Sequence, residues 1–125
     1  MLTRRKEPFR YSITPPMICW LEIKEIDQVP LKGKLAEVDL INISKSGCRI
    51  RTGLNLYASS HAIQANIHMK LSEDLHIFNG QIRWQKEVEP DVFDYGISLQ
   101  LDGSEKETIN AELRTLAGSR RIIVN

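Results

Sequence analysis

No stretch of this 125-residue chain approaches the roughly 20 consecutive apolar residues that cross a bilayer as a helix. The chain therefore reads as one without membrane insertion. Its opening, MLTRRKEPFR, is basic but has no apolar run behind it, so it does not read as a secretory signal, and the expected location is cytoplasmic. Cysteine is scarce: Cys19 and Cys48 are the only two, which argues against a disulfide scaffold. Each sits in an apolar strand pattern, so both read as reduced packing residues. Aromatics make up 6% of the sequence, too few for the basic groove with stacking platforms that single-stranded nucleic acid requires. The net charge is +1, so any electrostatic role must come from local clustering. A Walker-type glycine loop is missing, and no Cys/His nucleophile pair is recognisable. His61, His68 and His76 lack the spacing of a zinc site. The sequence thus argues against an enzyme, with no catalytic residue, metal or cofactor expected.

What is present is one domain's worth of residues, 42% hydrophobic and 26% charged, arranged as short alternating stretches. Residues 1–15 read as a flexible cationic arm ending at Pro15-Pro16, a pair that resists both helix and central strand. Met17, Cys19, Leu21 and Ile23 then alternate with Ile18, Trp20, Glu22 and Lys24 in the period of a strand. DQVPLKGK, with Pro30 and Gly33, reads as a turn. Leu35 to Ile43 reads as a second strand and Cys48 to Thr52 as a third. In AIQANIHMKL, Ile63, Ala65, Ile67, Met69 and Leu71 face one way and Gln64, Asn66, His68 and Lys70 the other. Strict alternation with one wet face is the pattern of antiparallel sheet. LHIFNGQIRWQK reads as a fifth strand with Gly80 as its bulge or bend. EVEPD reads as a turn and FDYGISLQL as a sixth strand, with Tyr95, Ile97, Leu99 and Leu101 facing inward.

The period changes near the end. Ser104-Glu105-Lys106-Glu107 fits a capping box with Ser104 as the cap. Ile109, Leu113 and Leu116 line one helical face, and Gly118 marks its stop. The expected division is an arm over 1–15, a barrel over 16–102, a helix over 103–118 and a short tail over 119–125. The fold class is all-β with one C-terminal helix: six antiparallel strands closed into a barrel, which removes sheet edges, with the helix covering an open end.

Two constellations carry chemistry. Arg4, Arg5, Lys6 and Arg10 crowd four cations into the arm, with Glu7 as the sole acid among them. The arm reads either as a solubilising tail or as an anion-capturing segment. An arginine fork bridges two phosphate oxygens or grips the O6 and N7 of a guanine. The second constellation is Asn42-Ile43-Ser44-Lys45-Ser46-Gly47, a polar elbow between two strands. It reads either as an elaborate turn or as one jaw of a ligand clamp, its Asn and Ser offering hydrogen bonds and Gly47 allowing close approach.

Together these segments resemble the PilZ domain family. The family signature is an RxxxR segment in a leading loop, followed after the first strands by D/N-x-S-x-x-G. Asn42 to Gly47 satisfies the second motif at every fixed position, and the first falls on Lys6-Glu7-Pro8-Phe9-Arg10, preceded by Arg5. GQIRW resembles the family's G-x-V-x-W strand, and YGISLQL its last strand. The resemblance covers nearly the whole chain and implies a PilZ-type barrel that acts as a receptor for the bacterial second messenger cyclic di-GMP. By position it carries over Arg5, Lys6 and Arg10 from the first motif, with Arg4 as an additional phosphate contact, and Asn42, Ser44 and Gly47 from the second. Trp84 lies on the strand where the family places a residue near the ligand, but it reads first as a core tryptophan.

Lys6 stands where the motif has arginine. A lysine is a point charge and cannot make the two-pronged guanine contact. Losing one charge-assisted contact of roughly 1.5–3 kcal/mol removes about one to two decades of affinity, unless Arg5 supplies the fork. The resemblance implies ordering of the arm on ligand binding and an unidentified downstream protein of the motility, exopolysaccharide or biofilm machinery. The alternative is a degenerate PilZ-like interaction adaptor that does not bind the nucleotide. A barrel for single-stranded nucleic acid ranks third.

Overall fold

The computed structural model describes residues 10–118 in full and the backbone of residues 122–124. Strands β1 (Tyr11–Ile26), β3 (Leu35–Ile43), β4 (Gly47–Thr52), β7 (Val92–Leu99), β6 (Leu75–Glu89) and β5 (Ile63–Lys70) pair antiparallel in that order. β5 then pairs with β1, closing a six-stranded barrel. Two short strands, β2 (Val29–Pro30) and β8 (Ile122–Val124), are appended to β1. A single helix, α1 (Gly103–Gly118), follows the barrel. The fold is the expected one, mostly β with a closed antiparallel barrel and a C-terminal helix.

The period-two reading explains the core. Cys19 and Leu21 of β1, Leu40 of β3, Ile50 of β4, Ile63, Ala65, Ile67 and Met69 of β5, and Tyr95 and Ile97 of β7 are buried together inside the barrel. α1 adds Ile109, Leu113 and Leu116 to the same cluster. Its Glu112 accepts a hydrogen bond from Ser72 in the β5–β6 turn and lies 3.7 Å from His76 of β6. Both cysteines are free and buried. Burial, and secondarily the Asp39 carboxylate, push the Cys19 thiol up to about 12. Burial pushes the Cys48 thiol up as well. The described histidines are held by single carboxylates, His61 by Asp27 at 2.7 Å and His68 by Glu22 at 3.2 Å. No cluster of ligating side chains suited to a metal occurs among the described residues. No described helix is long and apolar enough to cross a membrane.

Four local readings change. β1 begins at Tyr11, so residues 11–15 are strand rather than arm. Pro15 and Pro16 are accommodated because the ladder to β3 breaks there: Ser12 pairs with Asn42 and Met17 with Leu40, and the residues between have no partner on β3. Gly80 is not a bulge. It pairs with Ala65 and Leu99 in regular register, and an added Cβ would lie 2.7 Å from Ile97 and 3.0 Å from the Ser98 carbonyl, so a close approach requires the glycine. EVEPD is mostly strand: β6 runs to Glu89, Val92 pairs with it, and Asp91 takes the positive φ of 60° at the tight turn. The cap of α1 is Asp102, not Ser104. Asp102 Oδ1 accepts the Glu105 amide at 2.8 Å, and Glu105 Oε1 accepts the Asp102 amide at 3.1 Å. The box therefore starts two residues earlier, because an aspartate caps as well as a serine and its Glu partner stands three positions on.

The reassigned cap is testable. Asp102→Ala should lower stability by about 1 kcal/mol in urea denaturation, while Ser104→Ala leaves the midpoint unchanged. The reverse order would restore Ser104 as the cap.

Candidate ligand-binding site

Strict alternation in β3 and β6 would turn Asn42 and Trp84 into the barrel. Each strand instead carries one extra residue just before that position. In β3, Leu40 pairs with Ile50 and Asn42 with Arg49, so Ile41 has no partner on β4. In β6, Ile82 pairs with Ile97 and Trp84 with Gly96, so Arg83 has none on β7. A bulge of this kind re-aims every side chain after it. Ile43 is therefore buried and Asn42 faces outward, while Ile82 is buried and Trp84 is 43% exposed. The expectation of a core tryptophan at 84 is corrected, and the bulge at Arg83 is the reason.

With both bulges in place, four strands present one lateral row on the outer face. Asn42 pairs with Arg49, Arg49 with Gly96, and Gly96 with Trp84. The row depends on Gly96 having no side chain: a Cβ there would lie 2.0 Å from Trp84 Nε1. The indole occupies that space. The Arg49 guanidinium lies 5.6 Å from the Trp84 ring centroid, within reach of a cation–π contact.

Behind Arg49 is Asp94, the next outward residue of β7 and fully buried. Its carboxylate accepts Arg49 Nε at 2.6 Å, Arg51 Nε at 2.7 Å and Arg51 Nη2 at 3.0 Å, and contacts Arg49 Nη2. Burial acts to raise this carboxyl, but the hydrogen bonds and charges of Arg51 and Arg49 outweigh it and hold Asp94 below the usual carboxylate range. Two arginines on one carboxylate leave a net positive charge facing solvent.

The elbow between β3 and β4 forms the other wall. The Ser44 amide donates to the Gly47 carbonyl at 2.8 Å, and the Ser46 amide donates to Ser44 Oγ at 3.3 Å. Ser44 is 1% exposed and its hydroxyl is turned back onto the Gly47 carbonyl and Ser46 Oγ. The turn is tied to the barrel by the Leu99 amide, which donates to the Ser46 carbonyl at 2.9 Å. Gly47 is required by approach rather than by φ: an added Cβ would stand 2.5 Å from the Ile97 carbonyl oxygen. Lys45 and Ser46 are left exposed at the tip.

Arg10, on the residue before β1, reaches this surface. Its Nη1 donates a long hydrogen bond of 3.4 Å to Asn42 Oδ1. Arg10, Ser46, Gly47, Arg83, Trp84 and Ser98 border a shallow recess. A second recess lies between the elbow and the start of α1, bordered by Lys45, Ser46, Ser98, Gln100 and Lys106. Ser46 and Ser98 are shared by both. No described carboxylate borders either one, so the combined surface suits an anion.

Of the residues expected from sequence, Arg10, Asn42, Ser44 and Gly47 converge here. Asn42 presents its side chain to the outer face, whereas Ser44 and Gly47 shape the turn. Arg4, Arg5 and Lys6 lie outside the described residues. Arg49, Arg83, Asp94, Gly96 and Ser98 were missed. The sequence signal for them was faint: RIR after the elbow puts Arg49 and Arg51 on one strand face, and D-Y-G places Asp94 and Gly96 on another.

A closed barrel with a cationic, aromatic-floored recess at its elbow defines a small binding domain. The PilZ domain family model matches residues 4–116, and the chain belongs to that family. The family is one of cyclic di-GMP receptors, binding domains rather than catalysts. The chain has no match among curated proteins or among solved structures.

Two measurements probe this geometry. Gly47→Ala should destabilise the fold by about 1–3 kcal/mol in urea denaturation, because backbone meets the new methyl; an unchanged midpoint would contradict the tight approach to Ile97. Asp94 has a lowered folded pKa, so its contribution to stability is complete above about pH 4 and is lost as pH falls from there through the folded value. The stability difference between wild type and Asp94→Asn should therefore be flat from pH 5 to 8, by about the same principle, and shrink only at more acid pH.

Proposed function

We propose that this chain is a cyclic di-GMP receptor whose ligand is held between the cationic leader and the polar elbow. The observation that carries the reading is the contact between Arg10 and Asn42, 32 residues apart in sequence. It brings the last arginine of the first family motif onto the first residue of the second. A phosphate can take Arg10 and the exposed tip at Lys45 and Ser46, and a guanine can take an arginine fork against the Trp84 face. Arg4, Arg5 and Lys6 supply further charge from the leader, with Lys6 as a point charge and Arg5 as the fork beside it. Ligand phosphates neutralise the mutual repulsion of these cations, so binding orders the leader against the elbow and alters the surface offered to a downstream protein. By family resemblance that protein belongs to the motility or exopolysaccharide machinery, and this chain acts on it from the cytoplasm.

Lysine at position 6 favours a second reading, an adaptor that has lost the nucleotide. Calorimetry with cyclic di-GMP separates the two. Wild-type protein should release heat at micromolar ligand. Arg10→Ala and Asn42→Ala should each weaken binding about tenfold, the size expected for one charge-assisted contact, and added salt should weaken it further. Silence of the wild type at tens of micromolar ligand, a range set by roughly 6–7 kcal/mol of binding, would assign the adaptor role.

A further inference from the structure

We propose that Asp94 is a positioning residue for ligand recognition, acting through Arg49, which it holds beside the Trp84 ring to form a cationic stacking shelf for a purine. The inference rests on the receptor reading above and adds to it a residue that touches no ligand.

Three observations converge. First, Asp94 is fully buried and spends its carboxylate on Arg49 and Arg51 alone among the hydrogen bonds of the described residues. A guanidinium on a long, half-exposed side chain otherwise samples many rotamers. Gripping it through Nε and one Nη fixes its plane and leaves the other edge free for an incoming acceptor. Second, Arg49 is paired with Gly96 and lies 5.6 Å from the centre of the Trp84 ring, so the gripped cation and the indole share one shelf. Third, the residue facing them across β7 is a glycine whose missing side chain is the space the indole fills. A planar base laid on that shelf would meet an aromatic face and a fixed positive edge, both preset before it arrives. Arg51 has a different part: it spans both oxygens of the carboxylate, sharing Oδ2 with Arg49, and pairs toward Asp39 on β3, on the side of β4 away from the Trp84 strand.

The test is a double-mutant cycle read by calorimetry with cyclic di-GMP and by the emission of Trp84 in a Trp20→Phe background. Asp94→Asn keeps the shape and removes the charge. It should weaken ligand binding about tenfold, and Arg49→Gln should do the same. Asp94→Asn added to Arg49→Gln should then weaken it no further. Arg51→Gln, which leaves Asp94 to Arg49, should lower stability while affinity stays near wild type. Trp84 emission should shift in Asp94→Asn and in Arg49→Gln but not in Arg51→Gln. Equal losses from Asp94→Asn with and without Arg49 would overturn the proposal, because they show a carboxylate that acts on the fold and not on Arg49. Unchanged Trp84 emission in Asp94→Asn would overturn it too. Wild-type protein that ignores cyclic di-GMP sinks the receptor reading, and the emission comparison, which needs no ligand, then decides the shelf by itself. If Asp94→Asn does not fold, Arg49→Gln alone decides: loss of affinity together with the emission shift supports the shelf, and the absence of either overturns it.

Discussion

A strand that alternates without interruption sends every second residue into the barrel, and that rule is broken at Ile41 in β3 and at Arg83 in β6. Those two breaks bring Asn42 and Trp84 to the outer face, beside Arg49 and Gly96. Before them, Leu40 and Ile82 are core; after them, Asn42 and Trp84 are surface. Because the barrel is closed, a bulge cannot be relieved by sliding a free edge, so the change in facing is locked by neighbours on both sides. Asn42, Arg49, Gly96 and Trp84 become a row that no single strand contains.

The row also shows how charge is managed next to a core. Asp94 lies where solvent cannot reach, and an isolated carboxylate there would be costly. Two guanidiniums remove that penalty and in turn are held by it. The result is a positive surface that is stiff, unlike the mobile cations of lysine side chains such as Lys45 at the elbow tip. The elbow obtains its own stiffness differently, through Ser44 turned inward and Gly47 pressed against the Ile97 carbonyl. One wall is set by electrostatics and the other by backbone contact.

Most of the architecture was legible in the sequence. Six alternating stretches and a helical one are strong signals because burial on one face repeats with a fixed period, and the elbow stood out as a run of small polar residues. What was not legible has a common cause. A bulge leaves no compositional mark when its extra residue is an ordinary one such as Ile41 or Arg83, whereas Gly80, which carries the mark, serves packing. Trp84 was misplaced for that reason. Asp94 was invisible because its meaning lies in partners 43 and 45 residues away. The cap at Asp102 was missed by two positions because Asp-Gly-Ser offers two capping side chains, and only the structure shows which one meets the Glu105 amide.

Cys19 on β1 and Cys48 on β4 are sealed in the same interior, with thiols kept protonated by their surroundings. An alkylating reagent can meet them only when strands part, so the pace of their modification is a native clock for opening of the ring. Because Cys48 directly follows Gly47, an occupant that clamps the elbow would slow that clock, and the barrel would report its own occupancy through a thiol buried behind the guest.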